Sequence, residues 1–123
     1  MAAVANPTLF AVNTTWREHD GVINAIKLAE QYNIELDVFY AYLGITRTTL
    51  LRNPPPSPSQ EKLERLEGLL EQIERNCRTL TEVRAWLRKI NRDLGVSPIS
   101  LIKTGQIAEL QDYVNQAEAG TPQ

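Results

Sequence analysis

Residues Trp86 to Gly105, WLRKINRDLGVSPISLIKTG, limit the fold more than any other stretch of this chain. Val83, Trp86, Leu87 and Ile90 recur at helical spacing, and the helix they define stops at Asn91. Arg92–Ser97 is an irregular link, with Gly95 the residue best able to take a positive φ. A second short helix then starts at Ser97-Pro98. The serine hydroxyl accepts from free N–H groups, and proline at the first helical position removes only a donor that has no partner there.

The rest of the chain reads as helices too. Val22, Ile23, Ile26, Ala29 and Tyr32 predict a helix over Gly21–Tyr32. Leu36, Phe39, Ala41 and Leu43 predict a second, which Gly44 breaks; VFYAYLGI also carries some strand-like alternation. Thr46 can cap a third helix running to about Asn53, where Pro54–Pro56 ends it. Ser57, Pro58 and Gln60 form a capping pattern for a fourth helix, Pro58–Cys77. Its stripe is Leu63, Leu66, Leu69, Leu70, Ile73 and Cys77, long enough that part of it could meet a second subunit. Its outer face pairs Glu61 with Arg65, Glu71 with Arg75 and Glu74 with Arg78 at four-residue spacing. Thr79 with Glu82 offers another capping box before the Trp86 helix. Ile107, Leu110 and Val114 mark a last amphipathic helix after Gly105.

These elements predict an all-α fold of six to seven helices. Residues 1–20 read as a loose arm, 21–56 as a helix-turn-helix-like portion and 57–123 as a second helical portion, joined at the proline run. Trp16 stands out in the arm, either as a plug over the core or as a partner-facing aromatic. Trp86 is expected in the core, and His19 in solvent near a helix start.

At 123 residues with 42% hydrophobic content, the chain can build one modest core. A net charge of −2 argues against bulk attraction to polyanions but permits a local basic patch. One cysteine cannot close an internal disulfide, which points to a reducing, cytoplasmic setting. No apolar run is long enough to cross a bilayer. With one histidine and one cysteine, a zinc site is not expected, and neither is any other metal or cofactor.

No phosphate-cradling glycine loop, Ser-His-Asp set or HExxH is present, and the carboxylates sit opposite arginines along a helix. An enzyme is therefore not expected. Two binding surfaces remain. In a helix-turn-helix, the second helix presents its N-terminal side chains to the major groove. Here that role falls to Thr46, Arg47, Thr48 and Thr49, with Arg52 anchoring the far end on phosphate. Tyr40 stands where such motifs place a small residue, and Asn53 where they place an apolar one. Two arginines form a thin basic patch, so operator binding is expected to be weak per monomer and stronger in a homodimer or larger complex. The second surface is the outer face of the last helix: Gln106, Glu109, Asp112, Tyr113 and Gln116. Tyr113 combines apolar area with a hydroxyl at low entropy cost.

Trp86, Leu87, Asn91, Leu94, Gly95, Pro98, Leu101, Ile102 and Gly105 together resemble the C-terminal toxin-binding domain of the Xre/ParS/MbcA-type antitoxins. The similarity extends upstream through Leu43–Arg52, Ser57–Ile73 and Thr81–Leu87. The resemblance implies a type II antitoxin whose N-terminal portion is a helix-turn-helix. It also implies a partner, a RES-type toxin that consumes NAD, whose active site the antitoxin's C-terminal region covers. Glu109 or Asp112 would then pair with arginines lining that pocket, and the complex would repress its own operon. A stand-alone helix-turn-helix regulator without a toxin is the alternative.

Overall fold

The computed structural model describes residues 16–52 and 57–120. Among these it contains seven α-helices and no strand. They are α1 (Ala25–Tyr32), α2 (Leu36–Leu43), α3 (Arg47–Leu51), α4 (Ser57–Arg75), α5 (Leu80–Arg88), α6 (Pro98–Lys103) and α7 (Ile107–Glu118).

The helix boundaries follow local chemistry. Asn24 caps α1, its side chain accepting from the Lys27 N–H, and Asn33 ends it in the left-handed region at φ 56°. Gly44, at φ 71°, ends α2, and the Gly44 and Ile45 amides both return to the Tyr40 carbonyl. Thr46 caps α3 as expected. Helix α1 starts four residues later than its periodicity suggested, because Val22 and Ile23 belong to a strap running from Trp16 to Asn24. The Asn24 N–H donates to the Trp16 carbonyl and the Glu18 N–H to the Val22 carbonyl, both at 2.8 Å. Trp16–Asp20, read as the end of a loose arm, is therefore tied down; residues 1–15 of that arm lie outside the described residues.

α4 is the spine. Leu63, Leu66, Leu69, Leu70 and Ile73 are all buried, each worth about 1.5–3 kcal/mol of transfer free energy. Its polar side grips the N-terminal segment at intervals of two turns. The Gln60 amide accepts from the Ile23 N–H (2.9 Å) and donates to the Ile23 carbonyl (3.1 Å). Gln60 thus serves the tertiary structure; the Ser57 and Pro58 side chains expected to share its capping pattern lie outside the described ones. Glu67 accepts from the Trp16 indole at 2.6 Å and from both Nε (2.9 Å) and Nη2 (2.5 Å) of Arg17. Glu74 accepts from the Tyr32 hydroxyl at 2.7 Å. Trp16 plugs the core, its ring 6.0 Å from that of Tyr32.

The expected four-residue pairs on α4 do not form. Arg75 reaches across to Glu118 instead, and Glu74 is taken by Tyr32. Among the described residues, the ion pairs are all tertiary, joining Arg17 to Glu67, Arg75 to Glu118, Arg88 to Glu35 and Lys103 to Asp37. The charged face of α4 is mostly solvated, with Glu61, Arg65, Arg75 and Arg78 exposed, while Glu71 and Glu74 are partly buried where neighbouring elements approach.

The two portions interleave. The short helix α6 packs against α2, α5 and α7, while α1 packs on α5 and α2 on α4. Two arginines of α5 serve the end of α1: Arg84 donates to the Gln31 carbonyl from Nε (3.1 Å) and Nη2 (2.8 Å), and Arg88 donates to the Asn33 carbonyl. Cations at the carbonyl end of a helix satisfy orphan acceptors and oppose the negative pole of its dipole.

Candidate partner-binding surface

The segment from Asn91 to Gly105 owes its shape to a few residues. The Asn91 side-chain oxygen accepts from the Asp93 N–H (2.8 Å) and the Leu94 N–H (3.1 Å). Its backbone N–H donates to the Val96 carbonyl, and its carbonyl accepts from the Gly95 N–H. Gly95 sits at φ 79°, where a β-carbon is strained. Ser97 caps α6 through the Ser100 N–H, with Pro98 in its first turn. Gly105, at φ 80°, turns the chain into α7. Leu101 and Ile102 are buried beneath this turn structure, with Pro98 beside them.

α7 docks through Ile107, Leu110 and Val114. One flank is zipped to α4. Gln72 donates to Asn115 (2.9 Å) and Glu118 (2.7 Å), and Gln111 donates to the Gln72 side-chain oxygen (2.7 Å). The Gln72 bond first, then Asn76 and Arg75, hold the Glu118 carboxyl below the usual carboxylate range. The other flank carries the residues expected to meet a partner. Gln106, Glu109, Asp112 and Gln116 are exposed on it. Tyr113 is half-buried, its hydroxyl donating to Asp93 at 3.1 Å and accepting from Asn91 at 3.4 Å. The outer face of α7 is thus locked in register with the preceding loop.

Beside it, Trp86 departs from the expected core position. It is half-buried and, with Tyr113, Cys77, Ile73, Val114 and Ala117, lines a groove of about 410 Å³ between α4, α5 and α7. Ile90, expected on the buried stripe of α5, is 71% exposed. The reason is that α5 ends at Arg88 and Lys89 is extended, so helical spacing no longer places Ile90. Periodicity alone missed Ile90 as a surface residue; the signal lay in the Asn91 turn, which ends the helix before it. Burial, with Glu82 and Glu74 nearby, pushes the Cys77 thiol up, away from the thiolate a nucleophile needs.

The residues assigned to DNA are only partly available. Arg47, Thr48 and Arg52 are exposed on or just beyond α3. Thr46 and Thr49 are engaged with each other, since the Thr46 hydroxyl accepts from the Thr49 N–H (3.1 Å) and lies 3.0 Å from its hydroxyl. α3 has five residues, about 8 Å of helix. Tyr40 is half-buried at the edge of the core, and α2 and α3 still pack together. Asn53 lies outside the described residues. Groups of His, Cys, Asp and Glu arranged to hold a metal are absent among the described residues, and none of the described helices is long and apolar enough to cross a membrane.

What the fold and surface define is an all-α protein with a rigid loop-and-helix platform at its C-terminal end. No protein-family model, curated protein or solved structure matches the chain.

Proposed function

We propose that this protein is an antitoxin that binds and occludes a RES-type, NAD-consuming toxin through its C-terminal platform. The observation that carries this reading is the role of the residues behind the resemblance. Asn91 organises the loop, Gly95 and Gly105 take left-handed turns, Pro98 starts α6, and Leu101 and Ile102 anchor it. Those residues build one presenting element for α7. Inhibition by such a platform is stoichiometric and depends on buried area and complementarity rather than on a reactive group.

Removing 106–123 would strip Ile107, Leu110 and Val114 from the core, so truncation is a poor test of binding. Reversing charge on the exposed face avoids that problem. Glu109→Lys with Asp112→Lys should abolish rescue of cells co-expressing the toxin and let their NAD fall, while the chain stays folded with its melting temperature lowered by only a few degrees, since Glu109 sits in the first turn of α7. If the wild-type chain fails to protect such cells, the reading is wrong.

Autorepression is the accompanying proposal, supported by Arg47 and Arg52, which have no ion-pair partner among the described residues. Two cations release few counterions, so a gel-shift on the chain's own promoter should show weak, salt-sensitive binding that strengthens with the toxin present. Promoter binding with no toxin partner would favour the stand-alone regulator.

A further inference from the structure

The loop after α5 shows three features that the proposed use of α7 leaves unexplained. First, Ile90 is 71% exposed and Val96 39% exposed, and the Asn91–Val96 backbone bond brings their two strands of chain side by side. Second, this exposed pair stands on a backbone tied by four hydrogen bonds at Asn91, so the apolar surface is displayed on an ordered turn. Third, the side chains of Lys89 and Arg92 form no ion pair or hydrogen bond among the described residues, whereas those of Arg84 and Arg88 are committed to the end of α1. The nearest loop carboxylate, Asp93, accepts from Tyr113. A hollow of about 500 Å³, lined by Trp86, Lys89, Ile90, Asn91 and Arg92, opens at this point.

We infer that this loop is a second anchor for the partner protein: Ile90 buries against an apolar patch of the partner, Lys89 and Arg92 pair with acidic residues rimming that patch, and the hollow beside Trp86 takes a partner side chain. The inference rests on the reading of the chain as a toxin-binding antitoxin and adds the chemistry of the surface recognised. An aliphatic side chain flanked by cations suits a polypeptide with carboxylates around an apolar centre. A nucleic acid would gain nothing by stacking on Ile90, and two free cations in a chain of net charge −2 give it little electrostatic attraction. Pre-ordering by Asn91 lowers the entropy cost of docking, which is how a small patch becomes an energetic centre.

The test is calorimetric titration of the full chain with the polypeptide encoded by the adjacent reading frame, at low and high salt. Ile90→Asp should weaken binding by at least about tenfold, mainly through faster dissociation. Lys89→Glu with Arg92→Glu should weaken it by about tenfold at low salt and flatten its salt dependence. All three positions are exposed, so melting temperatures should stay at the wild-type value, and Glu109→Lys serves as the comparison on α7. If wild-type binds and both loop variants bind within about twofold of it, the anchor is wrong while the antitoxin reading stands. Absence of binding by the wild-type chain overturns both. Should the variants lose affinity only for a single-stranded oligonucleotide, the loop is a nucleic-acid contact and the inference fails.

Discussion

A single carboxylate, Glu67, receives the indole N–H of Trp16 and two nitrogens of the Arg17 guanidinium while itself only 7% exposed. The hydrogen bond to Glu67, with the Glu67 charge beside it, raises the Arg17 pKa above its ordinary value. Removing one member of such a pair leaves the others buried without a match. Glu67→Ala should cost about 2–3 kcal/mol in urea denaturation, less than for a fully buried pair because Arg17 keeps part of its surface in water. One turn further along α4, Glu71 behaves in the opposite way. Burial, then repulsion from Glu67, raises its pKa. The folded state therefore holds the Glu71 proton more tightly than the unfolded chain does. The stability this contributes is present at acid pH and lost as pH rises through the raised value. Glu71→Gln should gain up to about 0.5 kcal/mol at neutral pH, roughly 2 °C in melting temperature, with the gain fading towards about pH 4. A gain that persisted unchanged at acid pH would assign the effect to packing instead.

At the scale of elements, the turn that joins α5 to α6 tests how the platform is built. Gly95→Ala places a β-carbon on a backbone at φ 79° and should cost about 1–2 kcal/mol. Asn91→Ala removes acceptors for two loop amides and should cost about 1 kcal/mol while freeing Tyr113. Amide-exchange protection at Asp93 and Leu94 reads that loss directly. This turn, with Gly95 and Ser97-Pro98, was legible in the sequence because its signals are local: a glycine for a left-handed backbone, a hydroxyl for a cap. The apolar stripe of α4 was legible for the same reason, since 3.6-residue periodicity needs no knowledge of neighbours. What was not legible depended on distant partners. Glu71, Glu74 and Arg75 sit at ideal spacing for pairs along one helix, yet Tyr32 and Glu118 take two of them, because a tertiary partner that is already ordered beats an exposed intrahelical one. Trp86 and Ile90 fit a buried stripe by spacing alone. The exposure of Ile90 follows from where α5 stops, while Trp86, inside α5, is half-buried at the edge of the core.

On the scale of the whole molecule, the proline run does not divide the body into separately packed halves. α6 leans on α2, and α5 supplies the arginines that finish α1. A fragment of residues 57–120 would expose the sides of α4, α5 and α6 that now face Trp16, Tyr32, Phe39 and Leu43. Its amide NMR spectrum should be poorly dispersed, whereas residues 16–120 should unfold in one transition with circular dichroism and side-chain NMR signals coincident. A well-dispersed spectrum from the fragment would show that the C-terminal helices fold alone. The interleaving also bears on the candidate surfaces. Arg47 and Arg52 stand on or just beyond α3, which packs on α2, and α2 in turn packs on α6, so the two candidate surfaces are joined through one set of packed helices.

The two indoles of this chain report on different places. Trp16 is sealed beside Tyr32 and hydrogen-bonded to a carboxylate, while Trp86 lies partly in water at the edge of the displayed loop. Iodide should quench the emission of one and spare the other, so the unlabelled protein carries its own optical probe of occupancy at that loop, with an internal reference for the integrity of the fold.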